Sequence, residues 1–279
     1  MNVHSDEWIM NRVQEHYDEA IEMYGQNRVV GVFYQGSGNY GLDYDGSDVD
    51  TKCVILPTLD ELANGDAPVS VTHVRENDEH IDFKDIRIML QVFAKHNANF
   101  LEILYTDYCI VNPVYKCEWE EIIDRRDEIS DGNPVDTVRS LYGIASEKFH
   151  ALEHPYPSRM DWISRFGYDP KQLHHLVRLQ QVLHRYKNNI RFGDCLEAFN
   201  ADYLVEVKIG KYNLDEAREL ANKSMNSINL MRQDFIDTIS NEKMASYREL
   251  SKGTEHTLNT IKAKLIKKGI LLSIMNGVV

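Results

Sequence analysis

The chain has 279 residues, 27% charged and 43% hydrophobic, a balance that supports a packed core and excludes a disordered chain. Forty-four acidic against 31 basic residues leave a net charge of −13. That charge excludes extended, non-specific nucleic-acid binding but leaves room for a small basic pocket. Four cysteines, Cys53, Cys109, Cys117 and Cys195, form no C-x-x-C pair, which points to reduced thiols rather than a disulfide scaffold or a zinc ribbon. No apolar run approaches the ~18 residues of a membrane span, and residues 1–12 lack the apolar core of a secretory signal. A cytoplasmic protein without a membrane partner is the expectation.

Residues 6–24 place Ile9, Val13, Tyr17 and Ile21 at helical spacing before Gly25. VVGVFYQ, 29–35, reads as a buried strand. Residues 49–56 read as a second strand ended by Pro57, and Thr58–Leu62 as one helical turn. The polar stretch 64–78 reads mostly as loop. EHIDFK, 79–84, alternates as a strand does, with Ile81 and Phe83 on one face and His80, Asp82 and Lys84 on the other. Ile86, Met89, Leu90 and Phe93 return to helical spacing, and NFLEIL reads as a further short helix. Beyond Pro113 the pattern is helical almost throughout, with helices expected near 135–153, 169–189, 214–240 and 255–270. The turn cluster DGNP divides an α/β domain, 1–132, from an all-α domain, 133–279.

Gly36-Ser37-Gly38-Asn39-Tyr40-Gly41 matches G-x-G-x-x-G after a strand, the dinucleotide-binding fingerprint. That fingerprint needs a full helix after the third glycine, because parallel strands require a crossover of about a dozen residues or more. Only LDYDGSD separates Gly41 from Val49, and it is a poor helix, so the dinucleotide reading is disfavoured.

A second reading uses Asp48 and Asp50. At i and i+2 on a strand they share a face while Val49 turns to the core. Two adjacent carboxylates repel unless a cation lies between them, and a hard divalent cation with phosphate oxygens is the natural partner. Small residues at Gly36 and Ser37 allow backbone N–H groups to approach a phosphate, with Tyr40 in the same nucleotide-binding turn. A two-metal site asks for a third carboxylate. Asp82 is the geometric choice, with His80 and Asp85 as alternatives. Asp85 also suits the N-cap of the helix that follows. The competing structural reading is a solvated loop with surface aspartates.

Lys171, His175 and Arg178, with Arg185 seven further on, stack on one face of a helix whose other side carries Leu173, Leu176, Val177, Leu179 and Leu183. A cationic stripe in so acidic a chain suits triphosphate oxygens. An ordinary solvated face is the alternative, and His175 fits a structural hydrogen bond as well as a ligand. Glu102 reads as a brace of the cleft or as part of a core-packing segment. His150 and His154 lack the glutamate of H-E-x-x-H, and the cysteines have no local base.

The segment GVFYQGSGNYGLDYDGSDVDTK resembles the nucleotidyltransferase superfamily typified by DNA polymerase β, at Gly36, Ser37, Asp48 and Asp50. More narrowly, the chain resembles the predicted nucleotidyltransferases of bacteria and phages associated with RNA ligase. KHNANFLEILYT, GYDPKQLHHLVRL and VEVKIGKYNLDEARELA are similar to later signatures of that group, with Lys208 standing at an arginine position. The resemblance implies an α+β fold, a mixed-sheet nucleotidyltransferase core with a C-terminal all-α domain and the site in the cleft between them. It also implies transfer of a nucleoside monophosphate from an NTP such as ATP, using Mg²⁺ or Mn²⁺, two ions per site, with release of pyrophosphate. The acceptor, an RNA end, a protein hydroxyl or a small molecule, is left open. A non-catalytic nucleotide sensor on the same fold is the alternative.

Overall fold

A computed structural model describes residues 3–44 and 46–277. In chain order the elements are α1 (Asp6–Tyr24), β1 (Val29–Tyr34), β2 (Thr51–Ile55), α2 (Leu59–Ala63), β3 (Ser70–Val74), β4 (His80–Asp85), α3 (Ile86–Ala94), α4 (Ala98–Leu101) and β5 (Cys109–Val111). They continue with α5 (Lys116–Ile123), α6 (Arg126–Asp131), α7 (Pro134–Ala151), α8 (Met160–Phe166), α9 (Pro170–Lys187), α10 (Phe192–Leu196), α11 (Ala201–Lys208), α12 (Leu214–Asp237) and α13 (Asn241–Met275).

The strands form one mixed sheet in the order β3-β4-β2-β1-β5, in which only β2 and β4 run parallel. β1 is buried along its whole length, as an apolar run flanked by strands on both sides must be. Ile9, Val13 and Ala20 of α1 cover one face over Val32, Tyr34, Ile55, Ile81 and Phe83. Val30, Phe33 and Val54 turn to the other face, into a core continuous with α3, α5, α7 and α9. The structure is therefore an α+β fold with a helical C-terminal region, as expected.

Two strands lie where the sequence pattern shows none. β3 falls within the stretch read as loop. It is a sheet edge with mostly exposed side chains, so its sequence carries no apolar alternation. β5 has three residues, too few to show a period. The last helix is longer than expected and folds back on the sheet half, packing on α3 and α5. Lys264 pairs with Glu121 and Lys268 with Glu118, both at 2.8 Å. Gly269 lies so close to the core that an added Cβ would stand 2.6 Å from Leu56. No helix among the described residues is long and apolar enough to cross a membrane.

Candidate active site

β1 delivers its chain into a tight turn rather than a helix. Ser37–Tyr40 form one 3-10 turn, closed by Gly41 at φ 71°, whose N–H reaches the Ser37 and Gly38 carbonyls. The chain then returns as β2, antiparallel to β1, which excludes the parallel crossover of the dinucleotide fingerprint. Gly36 is extended at φ −162° and lies flat against Tyr34; a Cβ there would fall 2.4 Å from that ring. The Ser37 hydroxyl shares a hydrogen bond of 3.2 Å with Ser47, which also accepts the Tyr44 N–H at 3.1 Å. The backbone N–H of Gln35 donates to the Asp50 carbonyl at 2.8 Å and holds the two sides of the turn together.

Val49 is buried under α1 while Asp48 and Asp50 point into a cavity of about 460 Å³. One oxygen of Asp50 accepts the His80 N–H at 3.0 Å and lies 2.8 Å from His80 Nδ1. Burial, and then the neighbouring charge of Asp48, push the Asp50 carboxyl above its ordinary range, against the pull of His80 and Lys171. Lys52 continues the alternation and also lines the cavity. Its ammonium lies 3.1 Å from Asp82 and 4.4 Å from the Phe100 ring centre, and burial lowers its pKa.

Asp82 occupies a different setting from Asp48 and Asp50. The parallel β2–β4 register sets it opposite Lys52, and it also meets Lys84 at 2.9 Å and the Thr72 hydroxyl at 3.2 Å. It does not line the cavity, so the structure does not bring the third expected carboxylate together with the other two. The β4 residue beside Asp50 is His80. Asp85 is fully buried and caps α3 by accepting the Arg87 N–H at 2.7 Å. Among the described residues, no three His, Cys, Asp or Glu side chains converge as a metal-holding group.

The opposite wall is helical and cationic. Lys171, His174, His175 and Arg178 of α9 enter the cavity with Lys148 of α7 and Lys208 of α11. The Arg178 guanidinium lies 3.5 Å from the Tyr40 ring centre and donates to Glu102 at 3.2 Å, and the Tyr40 hydroxyl donates to the other Glu102 oxygen. Arg178 is thus a buried, paired cation rather than part of a solvated face. The Nε of Arg178 is buried and has no hydrogen-bond partner. Lys171 has no carboxylate partner among the described residues. Burial and Lys171 push Lys208 down to about 8, while Asp48 and Asp43 oppose the shift. Burial holds His175 well below its ordinary range and His174 at about 3, so both are neutral. His174 lies 2.9 Å from the Leu204 carbonyl, a structural contact. Arg185 leaves the stripe and donates to the Glu197 carbonyl at 2.7 Å.

The cavity thus gathers Gly36, Ser37, Tyr40, Asp48, Asp50, Lys171, His175 and Arg178, and leaves out Asp82. It adds Lys52 and Lys148, and it takes in Glu102, read from the sequence as a brace of the cleft, and Lys208, which the family resemblance singles out. Lys52 is legible in hindsight, because it extends the two-residue period of Asp48 and Asp50. Lys148 has no such signal, since one lysine on a long helix is indistinguishable from a solvated residue.

A mixed sheet with a pair of aspartates leading into β2 after a Gly-Ser turn, facing a helical wall, is the arrangement of the DNA polymerase β class of nucleotidyltransferases. A family model, RlaP, described as the RNA repair pathway DNA polymerase beta family, matches residues 9–164. The match takes in more than half of the chain, and the chain belongs to that family. The matched span covers the sheet and ends before α9. No curated protein sequence matches the chain.

Proposed function

We propose that the chain transfers a nucleoside monophosphate from an NTP, ATP among them, to an acceptor hydroxyl or phosphate and releases pyrophosphate. The observation that supports this most is one cavity with the Asp48–Asp50 pair on its sheet wall and Lys171 and Lys208 on its helical wall. Two carboxylates, one with its pKa raised by burial and then by the charge of the other, are the donor chemistry of a hard divalent cation such as Mg²⁺ or Mn²⁺. Asp48 and Asp50 would hold it, together with phosphate oxygens, and a second ion would draw its further ligands from the triphosphate. When bound, the metal supplies charge against the triphosphate and favours the ionised acceptor hydroxyl.

The chain's own residues account for the rest. Lys171 and Lys208 place positive charge where the triphosphate and the departing pyrophosphate need it. The Ser37 turn offers backbone donors and a hydroxyl to a phosphate. Glu102 and Tyr40 fix Arg178, whose uncommitted Nε is a further donor at the cavity wall. His80 orients Asp50. In the transfer itself the acceptor oxygen, a hydroxyl having given its proton to solvent, bonds to the α-phosphorus, and the oxygen bridging to the β-phosphate leaves with pyrophosphate.

One observation favours a second reading, a nucleotide sensor without turnover: Asp82 is tied to Lys52 and Lys84 outside the cavity. A panel of α-labelled NTPs with Mg²⁺ or Mn²⁺ separates the two. Pyrophosphate release that is lost in Asp48→Asn supports the transferase; metal-dependent NTP binding without release supports the sensor and refutes transfer.

A further inference from the structure

Asp43 stands outside the cavity, in the loop between the Ser37 turn and Asp48. It is a buried carboxylate with no lysine or arginine partner among the described residues. Its partner is His4, just before α1. The His4 N–H donates to one Asp43 oxygen at 2.7 Å, and His4 Nδ1 lies 3.0 Å from the same oxygen. The His4 ring stacks on Trp8 of α1, with ring centres 4.0 Å apart, which fixes this contact to the first helix. Burial would raise the Asp43 carboxyl, but hydrogen bonds from His4 and Ser47 outweigh it and hold the group below the ordinary carboxylate range. Asp43 is therefore charged at neutral pH.

Two lines lead from that charge into the cavity. The first is structural. Ser47, directly before Asp48, bonds to Asp43 and shares its 3.2 Å hydrogen bond with Ser37. Leu42, on the other side of Asp43, is fully buried and donates its N–H to the Ser37 carbonyl at 3.0 Å. The loop is thereby held shut on the turn that precedes it. The second line is electrostatic. Tyr44 follows Asp43 and lies under the Lys208 ammonium, and Asp43 acts on that ammonium together with Asp48, against the repulsion of Lys171. We propose that Asp43, clasped by His4, is a positioning residue of the triphosphate side: it sets Ser47 against Ser37 and Tyr44 beneath Lys208, and it supplies part of the negative charge that Lys208 faces. This role rests on the reading of the cavity as an NTP site given above. Asp43 acts only through Ser47, Tyr44 and Lys208.

The test is calorimetric titration of the full chain with a non-hydrolysable NTP and Mg²⁺ between pH 7.5 and 9.5, above the ordinary histidine range. Asp43→Asn should raise the Kd at pH 7.5 roughly two- to tenfold, the range for one net hydrogen bond. The loss of affinity with rising pH should also begin at lower pH than in wild type, because removal of the carboxylate favours the neutral amine of Lys208. A residue that merely fastens the chain would not move that profile. Lys171 and Asp48 face Lys208 in wild type and variant alike. The other neighbours do not titrate in this window: burial raises Tyr34 and Tyr44, the bond to Asp6 and burial put Tyr108 at about 12, and burial keeps His174 neutral. His4→Ala should weaken NTP binding in the same sense, and His4→Asn, which keeps a side-chain donor, should restore it. Tyr108→Phe is the control. It removes a neighbouring tie of α1, the 2.6 Å bond to Asp6, and should bind NTP as wild type does. An unchanged Kd in both Asp43→Asn and His4→Ala overturns the role, as does a loss that keeps the wild-type pH profile or that Tyr108→Phe matches. Wild type that binds no NTP at any pH refutes the reading of the cavity and this role with it, whereas wild-type binding with unchanged variants refutes this role alone.

Discussion

Lys208 offers the sharpest test of the cavity, because geometry and titration make separate claims about it. Its ammonium lies 4.4 Å from the Tyr44 ring centre, near Lys171 on one side and Asp48 and Asp43 on the other, with the neutral His174 adjoining. Its pKa of about 8 is below that of a free lysine, so the folded chain binds this proton less tightly than the unfolded chain does. Stability without ligand therefore rises as pH climbs from about 8 toward the ordinary lysine range, where the unfolded chain holds more protons. NTP binding moves the other way. A triphosphate needs the charged form, so affinity should fall above pH about 8, by up to about tenfold per pH unit for a single obligatory proton. In Lys208→Met both dependences should flatten. At pH 7 the variant should lose about 1.5–3 kcal/mol of NTP affinity, the range for a hydrogen bond to a charged group, which is roughly ten- to hundredfold in Kd. Calorimetric titration with a non-hydrolysable NTP between pH 6.5 and 9.5 measures the first effect, and urea unfolding over the same range the second. An affinity that stays level through pH 8 in wild type, or that Lys208→Met leaves unchanged, refutes Lys208 as a triphosphate contact.

Asp50→Asn should lower turnover on the order of 10²–10³-fold, the scale of losing one principal electrostatic contact, without lowering the Tm of the ligand-free chain, since it relieves the repulsion from Asp48; scanning calorimetry beside a turnover assay checks both. Asp82→Asn should instead cost about 1–3 kcal/mol in urea unfolding, because it leaves the buried Lys52 ammonium short of its carboxylate. A large loss of turnover at unchanged stability would make Asp82 a metal ligand after all. Arg178→Ala should cost about 3–5 kcal/mol, since it strands Glu102 and uncovers Tyr40, and circular dichroism melts would show it.

Much of the site is written in local sequence. Asp48, Val49 and Asp50 lie just before β2, and the alternation expected of a strand still sends the two aspartates to the cavity and Val49 to the core. The same holds for α1, whose apolar spacing runs over the observed helix, and for α9, whose leucines face the core as their spacing requires. What periodicity cannot supply is the partner across a gap. Asp82 shares a strand face with His80 and Lys84, but only the parallel register of β4 with β2 sets it against Lys52 rather than Asp50. Arg178 lies on the predicted cationic stripe, yet Glu102, 76 positions earlier, decides that it is a buried, paired charge. Lys208 becomes a lysine titrating near pH 8 only because α11 packs on α9 and carries it to Lys171. Which face a residue takes follows from the backbone repeat, whereas the charge it meets there is set by chain segments that the repeat does not connect.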